Sequence, residues 1–400
     1  MKFLKFAICY LIYPFSFLSF RRKKRYAFGG ARGSFNDNSK YLFIYCQENH
    51  KDIDTAWLSI DKETVKRIKS LGFKAYYILS VKGFYHALTS KYWFFNTYTT
   101  DIMFCLSGSA KCVNLWHGVG LKRIEFNVTS GKLADRYVKK KLKEVFYQPG
   151  AFRRPDFFLS STPFQTYAFA KAFRINESQC LELGYPRNHI LTDNEEERTK
   201  FISAYEPTET KSIISKLRSG YEKTFIYMPT WRDSQLNIFA QSFDLDALQT
   251  IMSEKNSLMV LKPHSNTIVD KSVFHKYPNI MLLDSHIDIY AILPYTDVLI
   301  TDYSSVLYDY ILMDGKDVIL YLYDYNEYVK ERDFFYPFDE NVTGKSVYNF
   351  KELCDCIRSS DYKMDETHRQ EIINKFWGDT VTKNSCEEIL DAIQQTSENQ

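Results

Sequence analysis

Two histidines, an aspartate and a pair of serines occupy the same kind of position in this chain. Each follows a short apolar run that stops at a polar cluster. Val113-Asn114-Leu115-Trp116 stops at His117-Gly118, Leu258-Met259-Val260-Leu261 at Lys262-Pro263-His264, and Val298-Leu299-Ile300 at Thr301-Asp302-Tyr303-Ser304-Ser305. An imidazole moves a proton near neutral pH. Hydroxyls and backbone N–H groups at a helix start hold phosphate. Apolar runs of this length, bounded by turn residues, read as buried strands of a parallel sheet. Ligands of open α/β sheets bind beyond the carboxyl ends of such strands. These residues are therefore expected to face one cleft and to serve a transferase that handles a phosphorylated donor.

Taken singly, each has a plainer reading. His117 precedes Gly118-Val119-Gly120, where glycines let a substrate approach the backbone, but a core histidine beside a turn has the same sequence. His264 follows a proline that ends the strand, and a solvated histidine fits there too. Lys262 reads equally well as a surface cation. Ser304 and Ser305 precede a helix expected over 306–313, where a hydroxyl either caps the helix or binds an anion. Asp302 reads as an acceptor for a ligand hydroxyl or as a turn acid. Thr230 and Arg232 follow the apolar run Phe225-Ile226-Tyr227-Met228 in a comparable setting. Arg332, inside Glu331-Arg332-Asp333, reads by itself as half of a surface ion pair. The chain has no G-x-x-x-x-G-K-[ST], G-x-G-x-x-G or G-x-S-x-G motif, which argues against an NTPase, a dehydrogenase and an α/β-hydrolase.

The elements that must position these residues alternate between strand and helix, twice over. Strands are expected at Tyr41–Tyr45, Ala56–Ile60, Ala75–Leu79, Tyr92–Phe95, Cys112–Trp116, Asp156–Ser160 and Cys180–Leu183. A second series starts at Phe225, Leu258, Ile280, Val298 and Val318. With 400 residues, more than one core usually organises, this implies two βαβ layers. The expected organisation is a segment over 1–25, a domain over 26–205 and a domain over 206–400, with the final helices free to return to the first domain. A net charge of +3 is too small for a general nucleic-acid footprint. Eight cysteines without zinc-type spacing read as reduced thiols of a cytosolic protein, with no metal.

Residues 1–20 are apolar and aromatic and run into Arg21-Arg22-Lys23-Lys24-Arg25. Lys2, Lys5 and Pro14 leave too little for a spanning helix, which needs roughly 20 apolar residues. No small-residue cleavage site marks a signal peptide. An interfacial anchor on the cytoplasmic face fits best, with apolar side chains in the lipid surface and the basic cluster on anionic headgroups.

Six clusters in order carry a family resemblance: Phe28-Gly29-Gly30 with Asp37-Asn38-Ser39-Lys40, Trp116-His117-Gly118, Gly184-Tyr185-Pro186-Arg187-Asn188, Pro229-Thr230-Trp231-Arg232-Asp233, Lys262-Pro263-His264, and Thr301-Asp302-Tyr303-Ser304-Ser305. Over about residues 27 to 392 the chain resembles the CDP-glycerol glycerophosphotransferases, the membrane-associated primases and polymerases of teichoic acids and related capsular polymers. The resemblance implies a GT-B-like α/β architecture, two Rossmann-like domains with the donor in the cleft between them. It implies transfer of a polyol phosphate from a CDP-polyol, a substrate and not a cofactor, to a hydroxyl of a lipid-linked or polysaccharide acceptor, with release of CMP. His117 matches the general base and His264 a histidine near the donor pyrophosphate. Thr230, Arg232, Asp302, Ser304, Ser305 and Arg332 fall on the donor side, and Gly118 and Arg187 on the acceptor-side loop. His189 and Thr343-Gly344 depart from the family pattern, which bears on acceptor and donor detail. A GT-B glycosyltransferase using a nucleotide sugar is the alternative, ahead of a non-catalytic membrane adaptor.

Overall fold

The computed structural model describes residues 2–131, 133–230, 244–263, 271–331 and 334–398. The chain divides into two compact units. Unit 1 is Met1–His189 with Phe376–Gln400, and unit 2 is Ile190–Lys375.

In unit 1, seven strands form one parallel sheet: β1 (Arg22–Phe28), β2 (Asp54–Ser59), β3 (Ala75–Tyr77), β4 (Ser90–Phe95), β5 (Lys111–Asn114), β6 (Phe157–Ser160) and β7 (Cys180–Glu182), in the order β3-β2-β1-β4-β5-β6-β7. In unit 2, β8 (Lys223–Met228), β9 (Ser257–Leu261), β10 (Ile280–Leu282), β11 (Val298–Thr301), β12 (Asp317–Tyr321) and β13 (Lys345–Val347) are parallel in the order β10-β9-β8-β11-β12-β13. Counted within its unit, each order begins 3-2-1-4-5-6, the doubly wound Rossmann arrangement. The order reverses between β1 and β4 in unit 1 and between β8 and β11 in unit 2. Strands next to these points are buried on both faces, as at β9 and β11, because parallel crossovers place helices over each face.

Two sequence expectations fail together. Tyr41–Tyr45, expected as a strand, lies inside helix α2 (Asp37–Asn49). That helix is buried over most of Asn38–Cys46, so its apolar residues carry no single-face period and mimic a core strand. The first strand is instead β1, whose leading half is charged and exposed while Tyr26, Ala27 and Phe28 are buried. A boundary at residue 25 therefore falls inside a central strand. The helix expected over 306–313 is also shorter, Val306–Tyr310.

The basic cluster is only partly a surface feature. Arg21 donates from Nη1 to the Ala87 and Ser90 carbonyls (2.6 and 3.1 Å), from Nη2 to the Leu106 carbonyl (2.7 Å) and from Nε to Ser109 Oγ (3.0 Å). Arg25 pairs with Asp54 at 2.7 Å and donates to Thr89 Oγ1. Both serve the fold, so of the five basic residues expected to meet headgroups only Arg22, Lys23 and Lys24 are exposed.

Ahead of it, helix α1 (Lys2–Ile12) and the 3-10 turn Tyr13–Leu18 have two faces. Cys9, Ile12 and Tyr13 pack on the unit 1 core, and Ser16 Oγ accepts the Gly108 N–H at 2.9 Å. Leu11, Phe15, Leu18 and Phe20 remain 70–83% exposed. Among the described residues no helix is long and apolar enough to cross a membrane. The eight cysteines are free thiols.

Arg21→Ala is expected to lower unfolding stability by at least about 2 kcal/mol, because it removes three charge-assisted bonds to backbone carbonyls, of which the Ala87 carbonyl keeps the Trp93 indole N–H. Lys24→Ala, which breaks only an exposed pair with Asp52, is expected to leave the denaturation midpoint unchanged. Chemical denaturation of both variants measures the contrast, and equal effects would contradict the split within the cluster.

Candidate active site

His117 stands three residues beyond β5, and the chain reaches it through a strained turn. Trp116 adopts φ +50°, a left-handed conformation that costs a non-glycine residue about 1 kcal/mol or more. The surroundings hold it there. Asn114 Oδ1 accepts the Trp116 N–H (2.9 Å), and Asn38 Nδ2 donates to the carbonyls of Leu115 and Trp116 (3.0 Å each). The Trp116 indole packs edge-on against Phe173 and beside Phe158. The His117 ring lies 4.0 Å from the indole, centroid to centroid.

His117 Nδ1 is 3.1 Å from the Asn96 carbonyl oxygen. A carbonyl only accepts, so Nδ1 carries the proton and Nε2 carries the lone pair. Protein atoms crowding the ring push its pKa below the ordinary value. Asp37 and the Asn96 carbonyl pull it back up, and Arg187 pushes it down. The residue nevertheless keeps substantial solvent-exposed surface, so crowding acts on it less than on a core histidine.

Asn96 directly follows β4, at the switch point of unit 1. Its side-chain oxygen accepts the Ser39 N–H and hydroxyl (2.9 Å each), and its side-chain nitrogen donates to the Asn36 carbonyl. Asp101 is buried. Burial pushes its carboxyl up to about 6, while bonds from Thr97 and Asn96 pull it down. Arg187 is fully buried and donates from Nη1 to Asp37 at 2.5 Å, and its N–H donates to Asn38 Oδ1 at 3.3 Å. The Asp37-Asn38-Ser39 and Tyr185-Pro186-Arg187 clusters thus build one frame around His117, with the buried Gly118 next in the chain. The sequence offers Asn38 only as a member of the Asp37-Asn38-Ser39-Lys40 cluster, and Asn96 and Asp101 not at all. Asn96 carries the same signal as His117, a polar residue stopping an apolar strand.

In unit 2, Thr230 and Asp302 meet across the switch point between β8 and β11. The Thr230 N–H lies 2.9 and 3.1 Å from the two Asp302 oxygens, and the Tyr303 N–H donates to Oδ1 at 2.6 Å. The Asp302 carboxylate is 1% exposed and is held by backbone, so it braces the two strand ends. Ser304 and Ser305 follow half-buried. Ser304 Oγ takes only a long bond from the Val306 N–H (3.5 Å), and the Ser305 hydroxyl makes no cap bond, so capping consumes neither. Lys262 is not a surface cation. It is half-buried and donates to the Asp284 carbonyl at 2.6 Å, tying β9 to the end of β10, and burial lowers its pKa to about 8. Arg232, His264 and Arg332 lie outside the described residues.

Comparison with known proteins agrees with this architecture. A variant of the wall teichoic acid polymerase TagF, in a structure soaked with CDPG, superposes with a TM-score of 0.75 over 100% of this chain and 94% of that one, at 20% identity. The teichoic acid glycerol-phosphate transferase of Staphylococcus aureus is 26% identical over 351 residues, 83% of this chain and 82% of the relative. The teichoic acid ribitol-phosphate primase of Bacillus spizizenii is 29% identical over 293 residues, 70% of this chain and 68% of the relative. The family model of CDP-glycerol:poly(glycerophosphate) glycerophosphotransferases matches residues 11–395, and the chain belongs to that family of transferases.

Proposed function

We propose that this protein transfers a polyol phosphate, glycerol phosphate first among the choices, from a CDP-polyol to a hydroxyl of a lipid-linked or polysaccharide acceptor in teichoic-acid or capsular polymer synthesis. The observation that carries the reading is the His117 tautomer. With Nδ1 committed to the Asn96 carbonyl, Nε2 is left as a proton acceptor. In the reaction, Nε2 takes the proton of the acceptor hydroxyl, and the oxygen attacks the phosphorus that bears the polyol. The bond from that phosphorus to the bridging oxygen breaks, and CMP leaves with the electron pair. Ser304, Ser305 and Thr230 meet the phosphates, with Asp302 bracing Thr230. His264, Arg332 and Arg232 complete the donor side, and Gly118 and Arg187 form the acceptor-side loop. The chain's own donors, rather than a resident cofactor, meet the charge that develops on phosphate.

The protein works at the cytoplasmic face of the membrane as a peripheral enzyme in this reading. The outer face of α1 and the following turn is supported by a second exposed patch. Val138 and Leu142 are 55% and 88% exposed beside the exposed Lys139, Lys140, Lys141 and Lys143. Phe146 joins the two patches by stacking on Phe3 and Tyr10 at 5.2 and 5.3 Å. Apolar insertion and basic attraction to anionic lipid then act side by side.

His117→Ala is expected to lower kcat about 100- to 10,000-fold while CDP-glycerol still binds, because the base acts on the acceptor. Turnover of CDP-glycerol and CDP-ribitol with a soluble acceptor analogue, scored as CMP and new phosphodiester, measures this. Near-normal turnover would remove His117 from the chemistry. A nucleotide product with a new glycosidic bond would replace the reaction class.

The base works deprotonated, and its pKa is depressed. The deprotonated fraction therefore persists to lower pH, and the acid limb of the kcat/KM profile, which reports the free enzyme, is expected to have its midpoint below the ordinary histidine value of about 6.5. A midpoint above it would contradict the assignment.

Changing Leu11, Phe15, Leu18 and Phe20 together to serine is expected to release the protein from anionic vesicles. The fold should survive, since all four are exposed. Each side chain withdrawn from lipid forfeits about 1.5–3 kcal/mol. Sedimentation measures the release, and a variant that still pellets would place docking elsewhere. Deleting residues 1–25 is not an equivalent test, because it cuts into β1.

A further inference from the structure

Asp101 lies outside every cluster that points to the reaction, yet it stands one step behind His117. The 3-10 turn Thr99–Asp101 follows β4 and presses against the end of β1. Gly29 makes the approach possible. A Cβ there would sit 2.7 Å from the Asp101 carbonyl oxygen and 2.6 Å from Ile102 Cγ1. The turn carries the Asp101 carboxylate inward. Oδ2 accepts the N–H groups of Asn96 (3.1 Å) and Thr97 (2.8 Å), and Oδ1 accepts the Thr97 hydroxyl (2.5 Å).

The Thr97 N–H and the Asn96 carbonyl belong to one peptide plane and point in opposite directions. Holding the N–H therefore aims the carbonyl, and this is the carbonyl that His117 Nδ1 reaches. Neighbouring contacts do not duplicate the task. Tyr98 donates its hydroxyl to Glu125 Oε1 at 2.6 Å, which fixes the next side chain, and Asn114 Nδ2 donates to the Thr97 carbonyl, which fixes the next plane.

We propose that Asp101 is a positioning residue for the transfer reaction. By fixing the Asn96–Thr97 peptide plane it aims the carbonyl that holds His117 with Nε2 free. The proposal rests on His117 acting as the base.

The test uses the full chain with Asp101→Ala and Asp101→Asn. It reads kcat, KM for CDP-glycerol, and the ¹⁵N signature of the His117 tautomer, assigned by loss of the signal in His117→Gln. The alanine variant strands two buried amides and frees the plane. It is expected to lower kcat about 10- to 100-fold, to leave KM for CDP-glycerol within about twofold, and to lose the Nδ1–H signature. Asparagine keeps an oxygen for the two amides and offers an N–H to the Thr97 hydroxyl, so it is expected to retain kcat within about threefold. Thr97→Val removes one bond of the three. It serves if the alanine variant does not fold, with an expected fall in kcat of about two- to fivefold and a partial change in signature. Lost kcat with an unchanged His117 signature, or an asparagine variant as poor as alanine, would overturn the role of Asp101 alone. A changed signature with unchanged kcat would overturn His117 as the base, and the catalytic role of Asp101 with it.

Discussion

A parallel strand that ends inside a packed protein leaves backbone N–H and C=O groups that need partners, and burial makes each orphan costly. This chain answers with short Asn and Asp side chains at both ends of its sheets. At the amino ends, Asp156 accepts the Cys112 N–H at 2.9 Å, and Asp297 accepts the Thr224 N–H at 2.7 Å. Those bonds only close the sheets. At the carboxyl ends the same device does more. Asn114, Asn38 and Asp101 shape the turns that hold His117, and Asp302 holds Thr230. In each unit these residues are held by the chemistry that any dry strand end requires, at the carboxyl ends of the strands at or next to the point where the order reverses.

The two units use this device differently. In unit 1 the polar frame converges on one imidazole and fixes which nitrogen carries the proton. Strain at Trp116 and Asp37, both at positive φ, is held by the same hydrogen bonds and by aromatic packing around the indole. In unit 2 Asp302 braces Thr230, and the Ser304 and Ser305 hydroxyls beyond it make no short cap bond. One arrangement suits moving a proton and the other suits holding an anion. Those are the two tasks that in-line displacement at phosphorus divides between its partners.

Legibility in the sequence followed burial. β4, β5, β9 and β11 are dry on both faces, so their apolar runs stand out and the residues ending them, His117 and Asp302, could be picked. β1 was missed because its first half faces water and carries Arg22, Lys23, Lys24 and Arg25. α2 was misread because burial on several sides erases the helical period. Asp101 had no pattern at all. Its value comes from a turn that Gly29 admits and from one peptide plane, and neither is a property of local sequence.

The N-terminal segment shows the same limit. Its apolar content was plain, but apolar content does not say which face packs and which stays open. The fold decides that through Ser16, Tyr13 and Arg21, which are bound inward and leave Leu11, Phe15, Leu18 and Phe20 outside. Arg21 and β1 then continue from this segment into the centre of the sheet whose carboxyl end holds Gly29 against the Asp101 turn. The surface suited to lipid and the frame around His117 are therefore joined by seven residues of one strand. In the proposed reading, docking at one end of β1 would set the orientation in which the other end meets a lipid-linked acceptor.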